Sequence, residues 1–194
     1  MKITLFTSNK NRHNYLINLL SELSDEFYVI QECDTIFEGI VSGHYQVSST
    51  MKKYFENVNN AQSKLFGNLY VNNEKKNIKI LSMIFGDLNQ CSMNLLSDFL
   101  KSDVYVVFGS SYIKGELLDF LVKQKTINVH AGVSPYYRGT DCNFWALYDN
   151  NPHLVGATIH LLSRGLDSGP MLYHAMSNLK TNPFEYTMST VKSA

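Results

Sequence analysis

Short apolar runs alternate with polar breaks along most of the chain, and their periods predict strands interleaved with helices. Lys2 to Phe6 is a run of β-formers stopped by Thr7-Ser8-Asn9 and reads as a first strand. A helix follows over about 11–23, with Tyr15, Leu16, Leu19, Leu20 and Leu23 on one face. Residues 27–31 read as a second strand. The stretch 32–49, with Gly39, Gly43 and several serines, favours a loop. A helix, polar on one side, is expected over 51–66, a solvated turn at 72–76 and a short strand over 78–83. Residues 91–101 read as a helix with Leu95, Leu96, Phe99 and Leu100 as its apolar face. Residues 104–108, Val-Tyr-Val-Val-Phe, are continuously apolar, as in a central parallel strand covered on both faces. A helix over 114–122, a short strand over 126–129 and late strands over 155–162 and 171–175 complete the pattern. Asn182 as a cap and Pro183 in the first turn open a last helix.

Strands alternating with helices predict an α/β fold: a doubly wound, mostly parallel sheet with helices on both faces. Ligands of such sheets bind beyond the carboxyl ends of the strands. Three segments therefore matter: Thr7 to His13, Gly109 to Ile113, and the residues after Val129. The chain has 194 residues, which suits one domain over 1–194, and it shows no repeat or linker. The last helix reaches Ala194 with no Gly or Pro stop, so a C-terminally truncated or minimal form is expected.

Composition narrows the function classes. Lys plus Arg is 17 and Asp plus Glu is 17, so a net charge of zero gives no bulk attraction for nucleic acid or anionic membrane. A hydrophobic share of 44% and an aromatic share of 12% argue against disorder. Cys33, Cys91 and Cys142 are far apart, form no CxxC, and read as buried free thiols of a reducing compartment. The N-terminal apolar run is too short for a signal peptide, and no stretch approaches a membrane span. A soluble, cytoplasmic protein is the expectation.

Candidate chemistry centres on Ile127-Asn128-Val129-His130. At a strand end, Asn128 and His130 point to the same side. An amide there can donate to a developing oxyanion, and an imidazole can move a proton near neutral pH. The alternative is a strand-end Asn turn with a hydrogen-bonded His. A Pro- and Gly-structured loop follows over 131–139, and Asp167 sits in the tight turn Leu166-Asp-Ser-Gly-Pro170. Ser8, Asn9 and Arg12 lie where the first strand meets its helix, a place that suits a compact anion or simply a capped helix. Tyr137, Phe144 and Trp145 offer rings for a sugar or base; core packing is the alternative. Ser110 and Ser111 read as a helix cap before Lys114. His44, His153, His160 and His174 have no metal spacing and read as structural or surface residues.

The stretch Asn-Val-His-Ala-Gly-Val-Ser-Pro-Tyr-Tyr-Arg-Gly at 128–139 resembles the Asn-x-His-x-Ser-Leu-Leu-Pro-x-x-Arg-Gly signature of folate-dependent formyltransferases. Gly-Ala-Thr-Ile-His at 156–160 resembles the strand between that family's two motifs, and Gly-Leu-Asp-Ser-Gly at 165–169 its Asp loop. The separation of 37 residues from His130 to Asp167 (167 minus 130) also suits it. The resemblance covers about residues 78–176, and the N-terminal third only as a fold. It implies a Rossmann-like catalytic domain that moves a formyl group from 10-formyltetrahydrofolate to an amine, with no metal. Carried over by motif, Asn128, His130 and Asp167 form the catalytic trio. Ser110, Ser111, Tyr112 and Ile113 on one side, and Ser163, Arg164, Gly165 and Leu166 on the other, line the folate slot with Gly132. Gly132 is a departure, since the family commonly has Ser there; the trio itself is intact.

Three acceptor classes share this catalytic fold. Methionyl-tRNA enzymes add a basic C-terminal barrel, which the charge and length do not supply. Glycinamide ribonucleotide enzymes carry a Gly/Ser-rich loop after the first strand, where this chain has Ser-Asn-Lys-Asn-Arg-His. Amino-sugar formyltransferases are the most similar in loop context, so a nucleotide-linked amino sugar is the expected acceptor, bound by Ser8, Asn9, Arg12, Tyr137 and Trp145. A homodimer is compatible with this family. Formyltetrahydrofolate hydrolysis and a non-catalytic binding module are the rivals; a nicotinamide enzyme is disfavoured because no GxGxxG follows the first strand.

Overall fold

The computed structural model describes residues 1–33, 48–68, 70–71 and 77–194. The turn expected at 72–76 lies outside the described residues, as does most of the loop expected over 32–49. Seven strands form one sheet: β1 (Lys2–Ser8), β2 (Glu26–Cys33), β3 (Ile78–Ile84), β4 (Val104–Phe108), β5 (Ile127–His130), β6 (Ala157–Leu161) and β7 (Met171–Ala175). Their order is β3-β2-β1-β4-β5-β6-β7. β1 to β5 pair in parallel, and β6 and β7 extend the sheet antiparallel. The helices are α1 (Asn11–Leu23), α2 (Ser49–Phe66), α3 (Gly115–Lys123), α4 (Cys142–Tyr148) and α5 (Pro183–Ser193).

Strand residues alternate between two cores. Ile3 and Leu5 of β1, Phe27 and Val29 of β2, and Val106 and Phe108 of β4 pack with Ile17 of α1. Phe6, Ile30, Tyr105 and Val107 face the other way, against Leu117 and Leu121 of α3. Both faces are thus covered, which is why these strands read as unbroken apolar runs. α2 and α5 pack together through Ala61, Phe66 and Met188. Asn182 caps α5 by accepting from the Phe184 and Glu185 backbone N–H groups, with Pro183 in the first turn.

Three expectations are corrected. α1 has the predicted bounds but buries His13, Ile17 and Ser21, while Leu19 and Leu23 are exposed. Residues 91–101 form a run of tight turns rather than a helix, closed mainly by i to i+3 bonds such as Phe99 N–H to Leu96 O at 2.8 Å. Ser92 Oγ accepts from the Leu95 N–H there as an N-cap would, but the α-turn it opens is not continued. Ser110 and Ser111 do not cap α3: its N-cap is Lys114, with no side-chain cap.

Candidate active site

Parallel pairing with β4 and antiparallel pairing with β6 fix β5 in register, and Asn128 stands opposite His160 and His130 opposite Thr158. A period of two puts all four side chains on one face. Asn128, His130, Thr158 and His160 are all buried. The turn after β6 brings Asp167 to the same place at φ 41°, a left-handed conformation. Gly169 permits this tight return, since a Cβ there would fall 1.8 Å from the Leu161 carbonyl oxygen.

The polar atoms of the cluster satisfy one another. Asn128 Nδ2 donates to His160 Nε2 at 3.0 Å and to Asp167 Oδ1 at 3.2 Å. His160 Nδ1 faces the Leu161 carbonyl at 2.8 Å, so Nδ1 carries the hydrogen and Nε2 is the acceptor that Asn128 requires. His130 Nδ1 lies 3.3 Å from Asp167 Oδ2, and its Nε2 donates to the Tyr137 carbonyl at 3.0 Å. Asp167 Oδ2 also accepts from the Gly139 N–H at 2.9 Å. Burial pushes the Asp167 carboxyl up, but the His130 imidazole and the Gly139 N–H outweigh it and hold the group below the usual carboxylate range. Asp167 is therefore an anion at neutral pH, enclosed by donors.

Gly132 belongs to this architecture as well. A Cβ at 132 would fall 2.5 Å from both His130 Nε2 and Cys142 Cβ. The absence of a side chain lets both Cys142 of α4 and the His130 ring approach the backbone at 132. Burial, then the nearby Asp167 and Asp141, push the Cys142 thiol up to about 12, and it donates to the Gly139 carbonyl. The three cysteines are free as expected, yet Cys33 and Cys91 are only half-buried.

The cluster forms the floor of a cleft of about 490 Å³ at the carboxyl edge of the sheet. Asn128, His130 and Asp167 line it. Ser110, Ser111, Tyr112 and Ile113 form one wall, and Ser163, Gly165 and Leu166 the other. Tyr112 Oη donates to the Arg164 carbonyl at 3.3 Å, joining the two walls. Arg164 itself sits on the rim, paired with Asp119 at 2.9 Å. Ser8, Lys10 and Arg12 reach the cleft from the β1–α1 end. Arg12 Nη1 donates to Gln62 Oε1 at 2.7 Å, which fixes the guanidinium between α1 and α2.

Other expected site residues lie elsewhere. Asn9 and Gly132 are outside the cleft lining. The Tyr137 ring packs against the cluster of Ala146, Val155 and Tyr186, and its hydroxyl donates to Asp149 Oδ2 at 3.1 Å, so only its backbone touches the site. Trp145 is half-exposed on α4, edge-on to Phe144 and Tyr148, and neither lines the cleft nor packs in the core. Neither ring thus stands in the cleft where an acceptor was expected to stack on it. Conversely, His160 stands within the cluster rather than at the surface. Its signal was the strand pattern Gly-x-Thr-x-His, whose alternation puts it on the face of Asn128 once β6 pairs antiparallel. His13 is a second residue that the sequence patterns did not single out, and it had no comparable signal. It is buried at the cleft's α1 end, accepts from the Lys10 N–H through Nδ1, and leaves Nε2 without a partner. Burial, then Arg12 and Lys10, lower its pKa well below the ordinary histidine value, so the ring is neutral. Among the described residues no His/Cys/Asp/Glu group has metal-binding geometry, and no helix is long and apolar enough to cross a membrane.

The Asn128, His130 and Asp167 cluster at the carboxyl edge of this mostly parallel sheet combines an oxyanion donor with an imidazole–carboxylate pair, the residue types of a group-transfer site. The formyl transferase family model matches residues 89–193, more than half of the chain, and the chain belongs to that family. A methionyl-tRNA formyltransferase of Thermosynechococcus vestitus is 37% identical over 73 residues, 38% of this chain and 22% of that protein. One of Clostridium acetobutylicum is 34% identical over 80 residues, 41% of this chain and 25% of that protein. The matches thus span about a quarter or less of these relatives' length. Among solved structures, a phosphoribosylglycinamide formyltransferase of Anaplasma phagocytophilum matches at TM-score 0.60 and 15% identity, covering 99% of this chain and 79% of its own. A sugar N-formyltransferase of Shewanella sp FDAARGOS_354 matches at TM-score 0.57 and 16% identity, covering 98% and 65%. At these identities the two structures share the fold.

Proposed function

We propose that this chain is the catalytic domain of an N-formyltransferase that moves a formyl group from 10-formyltetrahydrofolate to the amine of a nucleotide-linked amino sugar. The observation that carries the transfer chemistry is the single cluster of Asn128, His130 and Asp167 at the floor of the cleft. The acceptor amine attacks the formyl carbon, a new C–N bond forms, and negative charge develops on the formyl oxygen. Asn128 Nδ2 and His130 are the donors that meet this charge. Both Asn128 hydrogens are engaged within the cluster, and the 3.2 Å bond to Asp167 is the longer and the one to open. Both His130 nitrogens face acceptors, so release of Nε2 from the Tyr137 carbonyl presents it to the reactants. The amine gives up one proton, and the folate nitrogen takes one as its bond to carbon breaks. Asp167 orients His130 and relays that proton through water. No metal takes part in this scheme.

The folate lies between 110–113 and 163–166, where backbone groups offer hydrogen bonds to a flat heterocycle. The acceptor's phosphates sit at the α1 end, near Lys10, Arg12 and Ser8, where cationic side chains and helix N–H groups suit a compact anion. Zero net charge fits a small-molecule acceptor better than tRNA. The likeness to methionyl-tRNA formyltransferases supports the shared chemistry and keeps methionyl-tRNA as the second acceptor to test. The deciding experiment incubates the protein with 10-formyltetrahydrofolate and, separately, amino sugar nucleotides, glycinamide ribonucleotide, methionyl-tRNA and water alone, with products read by mass. Formylated sugar nucleotide is the expected product. Formate released without an acceptor identifies a hydrolase, and transfer only to one of the other amines replaces the sugar assignment.

A further inference from the structure

At the opposite wall of the cleft a second carboxylate is enclosed. Glu32 is the last residue but one of β2 and is fully buried, at 0% exposure. Its Oε1 accepts from the Gly86 N–H at 2.8 Å, the Leu88 N–H at 3.4 Å and the Ser111 hydroxyl at 2.9 Å. Its Oε2 accepts from the Ser111 N–H at 2.6 Å. One side chain therefore ties the turn after β3 and the loop after β4 to the end of β2, across the end of β1. No Lys or Arg is among the partners these bonds give it; its charge is met by backbone N–H groups and one hydroxyl. Asn89 completes the fixing. Its Oδ1 accepts from the Lys114 N–H at 2.8 Å, and its Nδ2 donates to the Tyr112 carbonyl at 3.0 Å and the Ser111 hydroxyl at 3.5 Å. The loop 110–114 has no side-chain cap of its own at the start of α3, so Glu32 and Asn89 hold it from outside.

We propose that Glu32, seconded by Asn89, is the positioning residue that fixes the 110–113 wall of the cleft in its folate-binding shape. This rests on the formyl-transfer function for the identity of the ligand; the holding of the loop does not. A preset wall matters because a ligand that must order a loop on binding loses affinity to that ordering. The carboxylate is specific for the task. It accepts four hydrogen bonds and donates none, whereas an amide would turn an NH2 toward Ser111 N–H or Gly86 N–H, both donors.

Glu32→Gln and Asn89→Ala are compared with the wild-type chain in two measurements. Amide hydrogen exchange of the ligand-free protein reads the loop, and calorimetry with 5-formyltetrahydrofolate, a folate whose formyl group is not on the transferred nitrogen, reads the wall. Both variants are expected to exchange faster across 110–114 while amides of β1 and α1 are unchanged. Glu32→Gln is expected to bind the folate roughly tenfold more weakly, from the loss of charge-assisted bonds. Glu32→Asp, which keeps the charge, should recover part of that loss. The saturated transfer rate should stay within a few-fold of wild type. If Glu32→Gln unfolds, Asn89→Ala tests the same loop without disturbing the buried charge. Unchanged exchange at 110–114 in Asn89→Ala, or exchange raised throughout the molecule, overturns the proposal. Unchanged folate affinity in a folded Glu32→Gln overturns it too. A wild-type chain that binds no reduced folate removes the formyl-transfer function and the folate half of this proposal, while exchange still decides whether Glu32 sets the loop.

Discussion

The floor and one wall of the cleft are each organised by a carboxylate, and the partners of those carboxylates differ in kind. Asp167 is met by an amide, the His130 imidazole and one backbone N–H, and its side chain keeps 13% exposure. Glu32 is met by backbone N–H groups and a hydroxyl, and keeps none. Imidazoles can exchange protons with a carboxylate near neutral pH; peptide N–H groups cannot. The first environment is suited to moving charge during a reaction, the second to holding backbone still. Two carboxylates along the carboxyl edge of one sheet thus divide chemistry from geometry through their partners alone.

The sharpest break of that contrast is on the Asp167 side. His130→Ala or Asp167→Ala should lower the transfer rate by about 10²–10⁴-fold while circular dichroism reports an intact fold. Near-wild-type turnover in both variants removes the cluster from the chemistry. Next in size is Gly132→Ser, which would restore the family's usual residue but forces an atom into His130 and Cys142. It should cost about 1–3 kcal/mol of stability by denaturant titration, as overpacking does, and the second change Cys142→Ala should recover part of it. Arg12→Ala should weaken acceptor binding at least about tenfold and leave folate binding unchanged, measured by calorimetry with each ligand. An equal loss for both ligands would place Arg12 in general architecture instead.

The smallest effect is on acid stability. Asp167 is held below the ordinary carboxylate value by its partners. Its contribution is fully present above the unfolded value, about 4, and is lost as pH falls through the lower folded value. The stability gap between wild type and Asp167→Asn, followed by urea midpoints, should therefore close as the solution is acidified from neutral. A gap that stays constant would show that the carboxylate's charge adds nothing to folding.

The contrast also explains what the sequence could show. Asn128, His130 and Asp167 were legible because strand alternation and a tight turn are local patterns that carry polar residues to one edge. Glu32 was not, because its partners are 54 to 79 residues away and are mostly backbone, which leaves no side-chain pattern to read. His160 fell between: its strand was recognised, but its membership of the site depends on the antiparallel register with β5. The bounds of α1 and β7 and the cap at Asn182 followed from local chemistry. The segment 91–101 misled because Leu95, Leu96, Phe99 and Leu100 have helical spacing, yet its backbone closes mainly three-residue turns. α4 had no readable pattern because its amphipathicity is inverted: it buries Cys142, Asn143 and Ala146 and turns Phe144, Trp145 and Tyr148 outward.

That inversion supplies an optical handle. Trp145 is the only tryptophan in the chain and sits at 49% exposure on the helix that carries Cys142. Its emission is therefore that of a single, partly hydrated indole, with no second fluorophore of its kind to unmix. Because the ring stands outside the cleft, ligands do not quench it by contact. A wavelength shift on adding either substrate would report displacement of α4 itself, and stopped-flow traces of it would time that displacement against formyl transfer.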